Sequence, residues 1–344
     1  MSERRAPDTY GLADAATTFP ERLPDVLDAA RRALAGFAPS DIRAVAACGV
    51  GTGGLAAEAA AALSAPRLTV PFWVGHAAEV PAFVGPHTLF FALSASGTSE
   101  ETVAAAAEAA ARGAIVVAVG GDPQGTLAHL AEEAALAWCP RGETGARTVE
   151  ALAATLVPVL VALAAAGLAP DAAARLDEAA ASLARRRNVF VGPDGQAAQV
   201  ARRIGRTIPL VYGAEGVDAA AARWWKARVN LNVKAPAFAG AVPARTYDEL
   251  AGWGQGGDIT RQVVSLVLLR RYGEPLALTR LFEAVMAECD EVMADMIEVR
   301  AEDDDDLGRF FELALLGELV SLALAGHEGV DPGPVPGIDE AHPR

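Results

Sequence analysis

The chain has 344 residues, a length that suits two domains or one large one. Apolar residues make up 52% of it but aromatic residues only 6%, so the core has to be built from Ala, Val and Leu. The net charge of −15 argues against nucleic acid as a general partner, because duplex binding needs a cationic face. It leaves room for a small anionic ligand at a locally positive loop.

The first half alternates apolar runs with alanine-rich helical segments. It opens on residues 1–19, expected to be a loose leader, and on an amphipathic helix over 24–35. The apolar runs predict strands over residues 44–48, 68–74, 88–93, 114–120 and, as a short fifth one, 135–139. Strands that alternate with helices form a parallel sheet covered on both faces, so we expect an N-terminal α/β domain over residues 20–170.

One uncharged apolar run, residues 151–169, is long enough to raise the question of a membrane span. It is mostly alanine, contains Pro158 and lacks aromatic or basic flanks, so a buried helix is the better interpretation. The polar N-terminus is not typical of a signal peptide. Three widely spaced cysteines, at positions 48, 139 and 289, fit reduced thiols, so we expect a cytoplasmic protein without a metal site or a cofactor.

The second half predicts another α/β unit, over residues 171–338. Its expected strands are 189–191, 208–212 and 263–269, and its expected helices are 172–187, 196–204, 217–229, 276–298 and 307–325. The acidic run 302–306 predicts a solvated helix entrance, with a cation site as the alternative.

A glycine-rich turn follows the first strand. Gly49, Gly51 and Gly54 satisfy the G-x-G-x-x-G fingerprint of dinucleotide-binding folds. A nicotinamide cofactor also requires an acidic residue at the end of the second strand, and none appears before Glu79. The sequence therefore argues against a dinucleotide at this turn.

The most informative stretch is the turn after the third strand, Ser-Ala-Ser-Gly-Thr-Ser at residues 94–99, which leads into an alanine-rich helix. Hydroxyls and backbone amides converge there at the positive end of a helix dipole, which fits a phosphate without any lysine. The alternative is an ordinary helix cap, with Ser99 capping and Glu100 and Glu101 in the first turn.

The order of residues 94–102 resembles the phosphate loop of sugar isomerase (SIS) domains, whose usual form is Ser-Tyr-Ser-Gly-Asn-Thr-Glu-Glu-Thr. The resemblance implies two SIS domains, each a parallel sheet flanked by helices in a flavodoxin-like three-layer sandwich. It also implies that the hydroxyls of Ser94, Ser96 and Ser99 hold the phosphate of a phosphosugar.

Two further loops take a role from this resemblance. Gly51, Thr52 and Gly53 match the first SIS loop and would contact the sugar, although Gly53 stands where the family has a serine. In the isomerase branch described next, an arginine of the loop after Cys139 reaches the phosphosugar. Arg147 is the best match, with a solvated surface arginine as the alternative.

The second half resembles bifunctional phosphoglucose/phosphomannose isomerases at residues 223–238, 243–253 and 329–332, so that the likeness covers about residues 40–338. Those enzymes move a proton between C1 and C2 of a hexose 6-phosphate, which needs a carboxylate base and a histidine that opens the ring. The glutamate of their Asn-Glu-Asn-x-Lys motif is Leu231 here, and their histidine is Tyr247. A lysine near the family's C-terminus has no counterpart either.

Three hypotheses follow. The leading one is a protein that binds a sugar phosphate of the hexose 6-phosphate class, with the usual catalysis disabled and a binding or regulatory role. Such a protein is expected to form a two-fold homodimer and to bind neither nucleic acid nor membrane. The second is an aldose–ketose isomerase with relocated groups such as Tyr247, Asp248 or Glu249. The third is a structural or interaction protein whose loops are kept only for folding.

Overall fold

A computed structural model describes residues 7–141 and 148–335. It has two parallel sheets flanked by helices, which confirms the predicted α/β class. Within the described residues, the chain divides into two compact units, one of residues 18–180 and one of residues 7–17 with 181–335.

The unit of residues 18–180 is built on a five-stranded sheet. Its strands lie parallel in the order β2-β1-β3-β4-β5 and are β1 (Ala44–Gly49), β2 (Phe72–Gly75), β3 (Thr88–Ser94), β4 (Ile115–Gly120) and β5 (Ala137–Pro140). Its helices are most of α1 (Leu12–Ala33), then α2 (Thr52–Ser64), α3 (Glu100–Ala111), α4 (Thr126–Glu133) and α5 (Val149–Ala165). All five predicted strands are present. Strand β2 lies on one side of β1 and strands β3 to β5 lie on the other, so the strand order reverses between β1 and β3. Such a switch point is where α/β folds of this kind place their ligands.

Small side chains let the helices approach this sheet closely. Phe90 of β3 packs in one cluster with Ala105 and Ala109 of α3, and its neighbour Phe91 points to the opposite face, since side chains alternate along a strand. The apolar run that raised the membrane question is α5, which is buried along most of its length. Among the described residues, no helix is long and apolar enough to cross a membrane.

The second unit has a four-stranded parallel sheet in the order β7-β6-β8-β9. Its strands are β6 (Ile208–Ala214), β7 (Phe238–Val242), β8 (Val264–Arg271) and β9 (Asp295–Ala301). Its helices are α6 (Ala173–Phe190, of which the unit holds the part from residue 181), α7 (Gln196–Ile204), α8 (Val217–Arg228), α9 (Glu249–Trp253), α10 (Gly257–Val263), α11 (Leu276–Cys289) and α12 (Asp306–Glu328). Its switch point lies between β6 and β8.

The core of this unit depends on two adjacent tryptophans. Trp224 and Trp225 are fully buried, and their indole N–H groups donate to the carbonyl oxygens of Ala314 at 3.1 Å and Leu313 at 2.7 Å. The guanidinium of Arg228 lies 4.1 Å from the centre of the Trp224 ring. Because both indole donors are satisfied on α12, the pair fixes α8 against that helix.

Two predicted elements of the second half are wrong. Residues 189–191 are not a strand, because α6 continues to Phe190. That ring is buried under Arg186, four residues earlier, while its neighbour Val189 is 51% exposed. The helix predicted over 276–298 ends at Cys289, and β9 follows with burial alternating every second residue. The prediction also missed β7, whose Ala and Gly residues have weak strand propensity.

The expectation of a loose leader over residues 1–19 is wrong for the described residues 7–19. Helix α1 already begins at Leu12, and the Asp8 carboxylate accepts hydrogen bonds from the amides of Leu12 and Ala13, both at 2.9 Å. The segment is also tied to the far end of the chain, since Thr9 donates to both carboxylate oxygens of Asp331.

The Asp331 carboxylate holds several donors. The amide of Gly333 also donates to it, at 2.9 Å, and Lys234 lies nearby. Burial works to raise the pKa of Asp331, but the hydrogen bonds from Thr9 and Gly333 and the charge of Lys234 outweigh burial, so the pKa lies below its ordinary value.

The acidic run 302–306 does begin a helix, as predicted. Asp305 caps α12, accepting from the amide of Leu307 at 2.9 Å, while Glu302 pairs with Arg186 at 2.8 Å and Asp306 with Arg309. Arginines, rather than solvent alone, neutralise these carboxylates. The described residues contain no group of three or more potential metal ligands.

Candidate functional site

The serine loop, residues 94–99, joins β3 to α3 beside the switch point of the first sheet. The hydroxyl oxygen of Ser94 lies 3.0 Å from that of Ser99 and 3.4 Å from that of Ser96. Thr98, which stands where the usual family form has an asparagine, donates its hydroxyl to Ser96 at 3.1 Å. The structure therefore brings four hydroxyls together in one turn.

The members of the loop have different surroundings. Ser94 is buried, and its oxygen accepts the amides of Gly97 at 3.0 Å and Ser99 at 3.4 Å, so it organises the turn. Ser96 is exposed, and Thr98 and Ser99 are half-buried, so their hydroxyls remain accessible to a ligand.

The helix-cap interpretation does not describe this loop. Ser99 occupies the cap position of α3, yet its side chain makes no capping hydrogen bond. Its hydroxyl lies against Ser94 instead. The first-turn amides of α3 therefore remain available to an incoming anion, at the positive end of the helix dipole.

The glycine turn adjoins the serine loop. Gly53 lies in the first turn of α2, and a Cβ built on it would lie 2.0 Å from the backbone oxygen of Leu93, the residue before Ser94. Thr52 is buried and Gly51 is exposed. The two predicted motifs thus follow neighbouring strands, β1 and β3, and lie side by side. The close approach of Leu93 also gives a steric reason why position 53 has a glycine and not the family's serine.

The predicted arginine, Arg147, lies outside the described residues. A different arginine, Arg141, does contact the loop: its Nε donates to the carbonyl oxygen of Ala95 at 2.8 Å. Burial lowers the pKa of the Arg141 guanidinium to about 10, against the opposing effect of Glu150, so it stays charged at neutral pH. The sequence indicated an arginine of the loop after Cys139 but favoured Arg147, because the contact of Arg141 with Ala95 is made only in the tertiary structure.

Leu231 lies in a π-helical turn, Val229–Val233, that extends α8. The polar residues around it have structural partners: Asn230 donates to the Ala235 carbonyl at 2.9 Å, and Asn232 to the Ser321 hydroxyl at 2.8 Å. Lys234 donates to the carbonyl oxygens of Leu231 and Pro332. The backbone of the motif is held by these bonds without any help from the side chain at position 231.

The other possible catalytic groups lie after β7. Tyr247 is 87% exposed. Asp248 accepts from the amide of Glu249 at 2.6 Å and pairs with Arg245 at 3.0 Å. Glu249 accepts the hydroxyl of the buried Tyr212 at 2.5 Å and lies 3.3 Å from Arg245. Burial, reinforced by Glu249, raises the pKa of Tyr212 above its ordinary value, so that hydroxyl remains a donor. Both carboxylates are therefore already engaged.

The carboxyl edge of the second sheet carries several arginines around a cavity of about 380 Å³. Arg270 is almost fully buried and is paired with Glu274 and, at 2.8 Å, with Glu298, which also binds Arg300 at 2.7 Å. Because these charges compensate one another, this edge is a weaker anion site than the serine loop.

Comparison with known proteins supports the SIS assignment. Residues 194–343 match the family model of the bacterial phospho-glucose isomerase C-terminal SIS domain. The chain is 24% identical to a bifunctional phosphoglucose/phosphomannose isomerase from Caldicellulosiruptor bescii, covering 93% of this chain and 95% of that protein. It is 27% identical to one from Aquifex aeolicus, covering 85% and 87%. Over most of its length the chain is similar to phosphoglucose/phosphomannose isomerases, and its second half matches an SIS domain. This confirms the resemblance that the sequence motifs indicated.

Solved structures with the same fold agree with this comparison. The chain resembles tagatose-6-phosphate ketose/aldose isomerase from Escherichia coli with a TM-score of 0.70 and 15% identity, covering 97% of this chain and 98% of that one. It also resembles the C-terminal domain of glucosamine-fructose-6-phosphate aminotransferase from Francisella tularensis, with a TM-score of 0.71, 15% identity, and coverage of 94% and 97%.

Proposed function

We propose that this SIS protein binds a sugar phosphate, of the hexose 6-phosphate class, at the serine loop and does not isomerise it. The observation that carries the proposal is the cluster of hydroxyls from Ser94, Ser96, Thr98 and Ser99 at an uncapped helix N-terminus beside the switch point. The names of the related enzymes support the substrate class. Gly51, Thr52 and Gly53 would contact the sugar.

The absence of catalysis is inferred from two positions. Proton transfer between C1 and C2 needs a base, and the leucine at 231 offers none at any pH. Tyr247 stands where the related enzymes have the ring-opening histidine, and a phenol is a poorer acid–base catalyst than an imidazole at neutral pH. General acid–base groups contribute roughly 10²–10⁴-fold each, so losing both leaves little rate.

An active isomerase with relocated groups is the weaker alternative. It would have to use Asp248 or Glu249, and both already accept hydrogen bonds and pair with Arg245. A substrate proton would have to compete with those partners for the carboxylate oxygens. The proposed role is therefore binding or regulation within carbohydrate metabolism.

The test is binding of glucose 6-phosphate, mannose 6-phosphate and fructose 6-phosphate by isothermal titration calorimetry, together with a coupled isomerisation assay. Replacing Ser96 and Ser99 by alanine removes two phosphate hydrogen bonds of about 1.5–3 kcal/mol each, so affinity should fall by roughly 10–100-fold for each. Ser40→Ala is the matched control, because Ser40 is an exposed serine of the same unit outside the loop.

Equal binding by the double variant and wild type would place the site elsewhere. Turnover by the wild type at rates typical of enzymes, about 1–10³ per second, would contradict the loss of catalysis. Binding to none of the three sugars would leave the purely structural hypothesis.

The assembly and location are further proposals. A two-fold homodimer is expected from the relatedness to the isomerases, and light scattering at micromolar concentration tests it, a monomer being the contrary result. A cytoplasmic location is supported by three free, buried cysteines. Burial raises the pKa of the Cys48 thiol to about 11, of Cys139 to about 12 and of Cys289 to about 11, so all three stay protonated and unreactive at neutral pH.

A further inference from the structure

Three carbonyl oxygens of the serine loop accept hydrogen bonds from donors outside the loop. The Ser96 oxygen accepts the amide of Asp122 at 3.2 Å, and the Gly97 oxygen accepts the amide of Leu127 at 3.1 Å. The Ala95 oxygen accepts Arg141 Nε at 2.8 Å. The first two donors are backbone groups that many sequences would supply. The third depends on one side chain.

The path of the Arg141 side chain requires a glycine beneath it. A Cβ built on Gly121 would lie 2.6 Å from Nη2 of Arg141 and 2.4 Å from the Ala95 oxygen. The backbone of Arg141 is fixed as well, since its amide donates to the Gly120 carbonyl at 2.8 Å. The end of β5 and the turn after β4 are thus shaped together around the contact between this guanidinium and the loop.

The charge of this arginine matters because the loop has none of its own. The serine loop contains no basic residue, is followed by Glu100 and Glu101, and belongs to a chain of net charge −15. A phosphate dianion therefore approaches a locally acidic surface unless a cation lies behind the hydroxyls. The Glu150 carboxylate acts on this guanidinium with the opposite charge, and a guanidinium that is mostly shielded from water acts more strongly on nearby charges than an exposed one.

We propose that Arg141 is the positioning residue of the phosphate site. It holds the Ala95 carbonyl turned away from the ligand, so that the hydroxyls of Ser96 and Ser99 face the phosphate, and it places a fixed positive charge behind the loop. The charge makes the site favour the dianionic form of a phosphate monoester. The effect of Arg141 on a bound phosphate rests on the proposed function, whereas its effect on the position of the loop does not.

The experiment compares R141M, which keeps an unbranched side chain as far as the position of Nε without the charge or donors, with R141K, which keeps the charge. The matched control is R112M. Arg112 also donates to backbone carbonyls, those of Val80 at 3.3 Å and Pro81 at 2.9 Å, but it lies at the opposite end of α3 from the serine loop.

Three measurements follow. Hydrogen exchange of the peptide covering the serine loop, without ligand, should become at least about tenfold faster in R141M and stay unchanged in R112M. Glucose 6-phosphate should bind roughly 10–100-fold more weakly to R141M. In a ³¹P NMR titration, the pKa of the bound phosphate should lie higher in R141M than in wild type and return toward the wild-type value in R141K, because only charge shifts that titration.

Unchanged exchange in R141M would overturn the positioning role, even if binding were weaker, since Arg141 would then be a direct ligand. Faster exchange with an unshifted phosphate titration would overturn the charge role. If wild type binds no sugar phosphate, the proposed function fails, while the exchange comparison still decides whether Arg141 holds the loop. If R141M does not fold, R141K carries the exchange comparison, because lysine cannot reproduce the Nε geometry.

Discussion

Restoring the hydroxyl that the related enzymes have at position 53 should damage this protein. In Gly53→Ser the new Cβ would lie 2.0 Å from the backbone oxygen of Leu93 and 2.8 Å from its carbonyl carbon. Real Cβ contacts essentially never fall below 3.0 Å, so α2 and the end of β3 must separate by about 1 Å. Neither neighbour is a flexible side chain that can move aside.

The size of the effect follows from this clash. Overpacking of a well-packed interior costs about 1–3 kcal/mol and occasionally more, and a backbone-to-backbone clash belongs at the upper end, about 3 kcal/mol. For a unit of this size, each kcal/mol lowers the melting temperature by about 2–4 °C, so the expected decrease is roughly 6–12 °C. The shift also moves Ser94, so sugar phosphate affinity should fall rather than rise.

Differential scanning calorimetry and titration calorimetry measure the two effects. Gly53→Ala is included because it adds the Cβ without the hydroxyl, and it should destabilise the protein as much as the serine does. Gly85→Ser is the control, since its nearest neighbour would be an ordinary contact at 3.8 Å, and such a change should stay within about 0.5 kcal/mol. A Gly53→Ser protein that is as stable as wild type and binds glucose 6-phosphate more tightly would refute the reasoning.

Three other predictions concern the second unit. Arg309→Met should lower the free energy of unfolding in urea by about 3–5 kcal/mol, because the buried Asp218 carboxylate, 2.8 Å from Arg309 Nε in the wild type, loses its partner. Adding Asp218→Asn should recover part of that loss, and no recovery would contradict the pairing argument. Because the folded pKa of Asp331 is depressed, its stabilisation is present above the ordinary pKa of about 3.9 and is lost as pH falls through the folded value. Asp331→Asn should therefore be less stable than the wild type at pH 7, and its stability should not show this decrease between about pH 5 and 2 in urea titrations. Parallel stability curves for the variant and the wild type over that pH range would contradict the prediction. Leu231→Glu combined with Tyr247→His should give at most a trace of isomerisation in the coupled assay, since the family's serine is also missing at position 53, and full activity would show that these two positions alone silenced the chemistry.

The sequence by itself determined the strands of the first sheet and the loop that carries the candidate site. Long apolar runs bounded by turns predicted the strands of the first sheet to within a few residues, because the central strands β1, β3 and β4 are buried along almost their whole length. The serine loop was found because its chemistry is local: a few consecutive residues supply the hydroxyls, and the helix that follows supplies the dipole. The departures from the isomerase motifs at Leu231 and Tyr247 were visible for the same reason, because each is a single residue within a contiguous stretch of sequence.

The tertiary structure decided what depends on residues far apart in the chain. Strand β7 forms because β6 pairs with it, although its own Ala and Gly residues favour no strand. Residues 189–191 have the apolar composition of a strand, but burial of Phe190 beneath Arg186 keeps them in or beside helix α6. The contact of Arg141 with Ala95 joins residues 46 positions apart. No local pattern encodes such a contact, because it arises only when parallel strands bring the loops at their carboxyl ends to one edge of the sheet.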